Sequence, residues 1–149
     1  MRICGWLAAL VIPAACSGGN PLVAGGEDEW RNNYDHWRAL NLRDYSFRFQ
    51  PVCFCIDTEP VIVEVRTGQV FRVTYAASGQ EVPPDRVSRA YRVTVDSLFG
   101  IVRTGFERGA ASLRAQYDPD RGNPTEVFID YVANAADEEY GFQAQVLTP

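Results

Sequence analysis

Cys53-Phe54-Cys55 is the local feature of this chain best equipped for chemistry. One intervening residue turns both thiols to the same side of a strand. Two strand steps separate their Cα atoms by roughly 6.6 Å, near the upper limit for a disulfide, so closing the bond requires a local kink. Pro51, two residues upstream, is placed to supply one. Three chemistries fit the pair. It is a small disulfide or two packed thiols, a redox-active couple whose strain raises its oxidising power, or part of a metal site that recruits His36. The metal reading has only three soft ligands to draw on.

His36 is the only histidine, and it lies between Asp35 and Trp37. No nucleophile is identifiable beside it, so a surface imidazole flanking a helix is expected rather than a catalytic base. The single imidazole excludes a poly-His metal centre. The complete absence of lysine excludes Schiff-base and lysine-nucleophile mechanisms.

Asp130, Asp137, Glu138 and Glu139 form the densest acidic group. Paired carboxylates perform acid–base or glycosidic chemistry when burial splits their pKa values. These four straddle Asn134-Ala135-Ala136, however, which reads as a connection between strands, and an acidic surface turn is the plainer expectation. Asp118-Pro119-Asp120-Arg121-Gly122 has part of a calcium loop but lacks its bidentate glutamate, and reads as a long hairpin turn. No catalytic set and no cofactor are implied.

These residues hang on alternating elements. Trp30, Tyr34, Trp37 and Leu40 recur at helical steps, so a helix is expected from Glu27 to Asn41, with Glu27, Asp28 and Glu29 in a first turn that suits the helix dipole. The period then changes to two. Tyr45, Phe47 and Phe49 alternate with polar residues, and after Pro51 the strand is expected to continue through Ile56. Val61, Val63 and Val65 form a second set, and Phe71, Val73 and Tyr75 a third. Thr67-Gly68 marks the hairpin between them. Either an odd loop or a bulge pairs Val63 with Val73 and Val65 with Phe71 and keeps both apolar sets on one face, and the odd loop is expected.

Residues 76–92 read as a loop with one short turn. A second helix is expected from Val95 to Arg108, capped by Thr94, with Gly100 and Gly105 either weakening it or allowing close packing. Leu113-Ala115-Tyr117, Val127-Ile129-Tyr131 and Phe142-Ala144-Val146 complete the alternation. The expected fold is α+β, an antiparallel β-sheet of about six strands with two helices packed on one face, in the order α-βββ-α-βββ.

The N-terminus reads differently. Arg2 precedes an apolar run of about a dozen residues, too short to span a bilayer, and small residues follow, which is the logic of a secretion signal. Ala14-Ala15-Cys16 resembles the lipobox of bacterial lipoproteins, with Pro13 where that motif usually carries an aliphatic residue. The resemblance implies a lipid on Cys16. An ordinary signal cleaved near Ala15 is the alternative, and a buried core helix is a third reading. The last fits poorly with the Gly-rich, polar run that follows. Residues 1–15 are therefore expected to be a leader, 16–26 a flexible tether and 27–149 a single domain.

Composition sets outer bounds. The chain has 149 residues, of which 46% are hydrophobic and 12% aromatic, enough for one packed core. The net charge is −5, and loss of Arg2 with the leader makes it one unit more acidic. With no basic run, the chain is not expected to bind nucleic acid or to adsorb to anionic lipid by charge.

As an ordered set, the segments resemble domain of unknown function 6174, a bacterial family many of whose members are lipoproteins. The residues that carry this are Trp37 with Asp44-Tyr45-Ser46-Phe47, Cys53-Phe54-Cys55, Val65 through Gly68-Gln69-Val70, Thr94-Val95-Asp96-Ser97-Leu98-Phe99, Tyr117-Asp118 with Gly122-Asn123-Pro124-Thr125, and Ile129-Asp130-Tyr131 through Asp137-Glu138-Glu139-Tyr140-Gly141-Phe142. The resemblance implies export and a compact α+β domain, and no reaction. The expected function is that of a non-enzymatic binding or structural accessory protein of the cell envelope. Its partners would be a membrane, through the lipid anchor, and a protein or peptide. A thiol-redox role for Cys53 and Cys55 is the alternative, and a hydrolase using the late acidic group is a third reading.

Overall fold

The computed structural model describes residues 23–24, 26–135 and 138–148. The expected leader, Cys16 and Asp137 lie outside the described residues. The elements are β1 (Val23–Ala24), α1 (Glu27–Ala39), β2 (Tyr45–Cys53), β3 (Val61–Arg66), β4 (Gln69–Tyr75), α2 (Pro84–Arg86) continuing into a π-helical turn (Val87–Tyr91), α3 (Val95–Glu107), β5 (Ser112–Tyr117), β6 (Pro124–Asp130) and β7 (Tyr140–Thr148).

The strands form one sheet in the order β1-β5-β6-β7-β2-β3-β4. β2 through β7 pair antiparallel: β2–β3, β3–β4, β5–β6 and β6–β7 through connections within the chain, and β2–β7 across the domain. The fold is the α+β arrangement that alternation and helix period predict. Two features are additional. Val23–Ala24, within the stretch that reads as a tether, runs parallel to β5 as a short edge strand. Val87–Tyr91 forms helix where the sequence predicts a loop, and it buries Tyr91 completely.

One face of the sheet is dry. Tyr45, Phe47 and Phe49 of β2, Val61, Val63 and Val65 of β3, Leu113, Val127, Ile129 and Phe142 all bury their side chains there, under Trp37 of α1 and Leu98, Phe99 and Val102 of α3. At Gly105 a Cβ would lie 2.5 Å from Leu113 Cδ1, so the missing side chain lets α3 sit close against β5 and β6. At Gly100 nothing lies within 4 Å, and that position is simply open.

The β3–β4 hairpin resolves its register with a tight, two-residue turn and a bulge, not with the expected odd loop. Thr67 and Gly68 both have positive φ, so the loop has the two residues of a type I′ turn. That turn pairs Val65 with Val70 rather than with Phe71. A bulge then removes Phe71 from the ladder, and Val63 meets Val73 as expected. Phe71 is the residue expelled. It stands exposed with the Arg66 guanidinium 3.8 Å from its ring centroid.

Antiparallel pairing gives the domain two poles. At one lie Tyr45, at the start of β2, and the β5–β6 turn. That turn is closed by Asp118, whose Oδ1 accepts the Asp120 and Arg121 amides, and no calcium geometry is needed to explain it. Gly122 there has φ of +78° and lies against the Asn33 carbonyl of α1. At the other pole lie Cys53, Val61, Tyr75, Ser112, Asp130 and Tyr140. α3 descends from the Tyr45 pole toward the second pole, and α1 rises from the second to pack Trp37 edge-on against Tyr45.

Tyr45 joins the three layers of this junction. Its hydroxyl accepts the Val95 amide at 3.1 Å, satisfying a buried donor at the start of α3. The Thr94–Ser97 capping box satisfies others. Burial holds the Tyr45 phenol neutral and pushes its pKa up to about 12 from the ordinary value of 10.0. The folded chain thus keeps a proton that the unfolded chain releases. This contribution is fully present below pH about 10 and is lost as pH rises toward about 12. Burial shifts Tyr117 and Tyr140 in the same direction. Chemical denaturation at stepped pH should therefore show stability falling across that interval. Tyr45→Phe should be about 1–3 kcal/mol less stable at neutral pH, with the Val95 amide unpaired, and should show a shallower alkaline decline.

Candidate functional site

β2 ends at Cys53, and the chain bends through Phe54–Ile56 instead of continuing as the expected strand. The bend draws the Cα atoms of Cys53 and Cys55 to 5.3 Å, and the two are joined by a disulfide. The kink that the bond needs therefore lies between the cysteines, with Pro51 still inside the strand. Cys53 is half-buried and Cys55 exposed. A closed loop of three residues restrains the unfolded chain only slightly, by about 1–2 kcal/mol, so the bond's main effect is on local shape.

Asp57 completes this loop and escapes sequence reasoning altogether. Its side chain is acidic, yet only 3% exposed. Oδ2 accepts from Arg89 Nε at 2.9 Å, and Oδ1 lies 3.4 Å from Arg86 Nε, an ion-pair distance without hydrogen-bond alignment. Arg86 also donates to the Tyr75 hydroxyl at 3.0 Å and pairs with Glu59 at 3.2 Å. The hydrogen bond to Tyr75, with Asp57 near by, raises the Arg86 pKa. The helical turn at residues 84–91 is thus pinned to the disulfide loop by two arginines. Beside the loop is a pocket of about 490 Å³ whose lining includes Pro51, both cysteines, Ile56, Ala90 and Tyr140.

A second depression lies on the helix-free face of the sheet. The register brings Gln116 of β5, Glu126 of β6, Gln143 of β7 and Gln50 of β2 into one cross-strand row over four adjacent strands. Arg48 pairs with Gln145 in the neighbouring register. With Thr125 these side chains line an open groove of about 350 Å³. Sheet geometry spaces such a row at about 4.8 Å per strand. Aromatics on this side are covered by cations, as where Arg114 lies 4.9 Å from the Phe128 ring centroid.

The remaining predicted site residues do not join either depression. Asp130 accepts the Val132 amide through Oδ1, a local turn contact. Glu138 is exposed and Glu139 half-buried, and neither lines the pocket or the groove. His36 is exposed on α1, where its Cβ packs toward Gly122, near the pole opposite the cysteines. Among the described residues, no three His, Cys, Asp or Glu side chains converge as a metal site, and no helix is long and apolar enough to cross a membrane.

A family model of unknown function, DUF6174, matches residues 29–149. The chain belongs to this family. No curated protein and no solved structure matches the chain. The match to DUF6174 covers the disulfide loop, Asp57 and the glutamine row together.

Asp57→Ala leaves two arginines facing an empty, buried position. It should lower stability by about 1–3 kcal/mol in denaturant titration and accelerate amide exchange across 53–57 and 86–91 ahead of the sheet.

Proposed function

We propose that this DUF6174 member is an exported lipoprotein that acts without catalysis, held to a membrane of the cell envelope by a lipid on Cys16 and binding an extended segment of a protein partner on its helix-free sheet face. The row Gln116–Glu126–Gln143–Gln50 carries the binding half of this reading. Side-chain amides donate and accept at once, and an extended peptide presents alternating N–H and C=O groups along its length. Arg48 and Glu126 add one charge of each sign, so the groove suits a polar backbone better than a strongly charged ligand. The short apolar run at the N-terminus and the Ala14-Ala15-Cys16 sequence support the export half.

A photo-crosslinking residue at Gln145, introduced in living cells, tests this reading. We expect one dominant adduct, reduced at least five-fold by Arg48→Ala with Gln143→Ala at unchanged thermal stability, and displaced by a synthetic peptide copying the crosslinked segment. An adduct pattern identical to that from Arg103, on the helix side, rejects the binding half. Intact mass of the membrane-extracted chain should show acylated Cys16. An uncleaved, unacylated chain in cytosol rejects the export half.

The exposure of Cys55 favours a second reading, thiol–disulfide exchange. A partner dithiol attacks the disulfide, passes to it two electrons and two protons, and leaves as a disulfide while Cys53 and Cys55 become thiols. This reading expects the pair to equilibrate with a dithiol buffer in the folded state within minutes. A disulfide that resists until the domain unfolds rejects it.

A further inference from the structure

Seven large apolar side chains of the described residues are exposed, and four of them, Val52, Phe54, Ile56 and Val132, lie at the pole where β2 ends and β6 turns into β7. Phe54 and Ile56 are 86% and 87% exposed, the extremes of the set. They stand on a loop closed by the Cys53–Cys55 disulfide and anchored by buried Asp57, so they are held out from the surface by structure on both sides. A rigid loop that displays two apolar side chains to water has a cost that only an apolar neighbour removes.

The path of the chain says which neighbour. Val23 pairs with Leu113, next to the first residue of β5, and α1 begins at Glu27 near Arg103 and Phe106, late in α3. The chain therefore arrives at the same pole that carries Phe54 and Ile56. Cys16 precedes Val23 by seven peptide steps, so their Cα atoms are at most about 25 Å apart. A lipid on Cys16 keeps Val23 within that reach of the bilayer, and Val23 lies nearer this pole than the Tyr45 pole.

We infer that the disulfide loop is a second membrane contact, with Phe54 and Ile56 seated in the interfacial layer of the bilayer that holds Cys16. This rests on the lipid-anchor reading above. The surface it fits is zwitterionic. Glu59 and Glu138 are exposed in the flanking loops, and the Asp57 carboxylate already engages Arg86 and Arg89, so the described residues around the loop offer no cationic patch to anionic headgroups. In this orientation the sheet stands upright on the membrane, and the Gln143 groove opens sideways to the envelope space.

The test uses the full chain, matured in a bacterial host and reconstituted in phosphatidylcholine–phosphatidylethanolamine vesicles. Phe54→Trp places an indole on the loop and Asp120→Trp places one at the opposite pole, each read after subtracting wild-type emission. Bromination of the acyl chains should quench the loop indole at least two-fold and leave the distal indole unchanged. Aqueous iodide should quench the loop indole less than half as strongly as the distal one. Phe54→Trp with Ile56→Ser should lose part of the bromine quenching, whereas Phe54→Trp with Val132→Ser should lose less. If Cys16 carries its acyl mass and the loop indole responds to iodide but not to bromine, the loop contact is overturned and the lipid anchor stands. Shielding from both quenchers marks contact with a second copy of the chain and likewise overturns it. Absence of acyl mass on Cys16 removes the anchor reading and this inference with it.

Discussion

Two helices of thirteen residues can cover one face of this sheet and not the other, and every strand answers to that limit. A strand with one dry and one wet face must alternate, so buried Phe47 stands between Ser46 and Arg48, and buried Ile129 between Asp130 and a Phe128 ring that Arg114 covers. The glutamine row is the other side of this coin. Its members line up because the residues between them, Phe49, Phe142 and Val127 among them, are fixed in register by the core. The groove is thus positioned by hydrophobic packing on the side of the sheet it does not occupy.

The disulfide loop departs from that rule. Between β2 and β3 the chain carries apolar residues outward and a carboxylate inward, the reverse of what burial favours. Asp57 is tolerated because two guanidinium groups reach it from residues 84–91, and that segment is in turn anchored by fully buried Tyr91. An inverted loop held this firmly is stable only as a compromise between packing and display, which is the usual mark of a contact surface.

Much of the architecture is legible from period alone. The switch from helical steps over Trp30, Tyr34 and Trp37 to alternation over Tyr45, Phe47 and Phe49 locates the first helix and first long strand to within a few residues. Thr94 marks the start of α3, and its capping box is present. The misplacements share a cause. Alternation assigns Phe71 to the core with its neighbours, yet the positive φ of Thr67 permits a two-residue turn, and the bulge that repairs the register expels it. The apolar run carries strand β2 through Ile56, and the short disulfide ends it three residues earlier.

The sequence by itself determined which residues are apolar, with what period, and where turns interrupt them. These are local quantities, and helix and strand geometry converts them directly into elements and faces. It also set the short apolar run at the N-terminus, the thiol at Cys16 and the spacing of the later cysteine pair. Tertiary structure alone decided that Asp57 meets arginines some thirty residues away, that four glutamine and glutamate side chains from four strands share one row, and that Phe54 and Ile56 stand at the pole where the chain arrives. Each is a relation between distant segments set by strand order and register. Those are chosen by the burial of the whole core, and no local pattern records them.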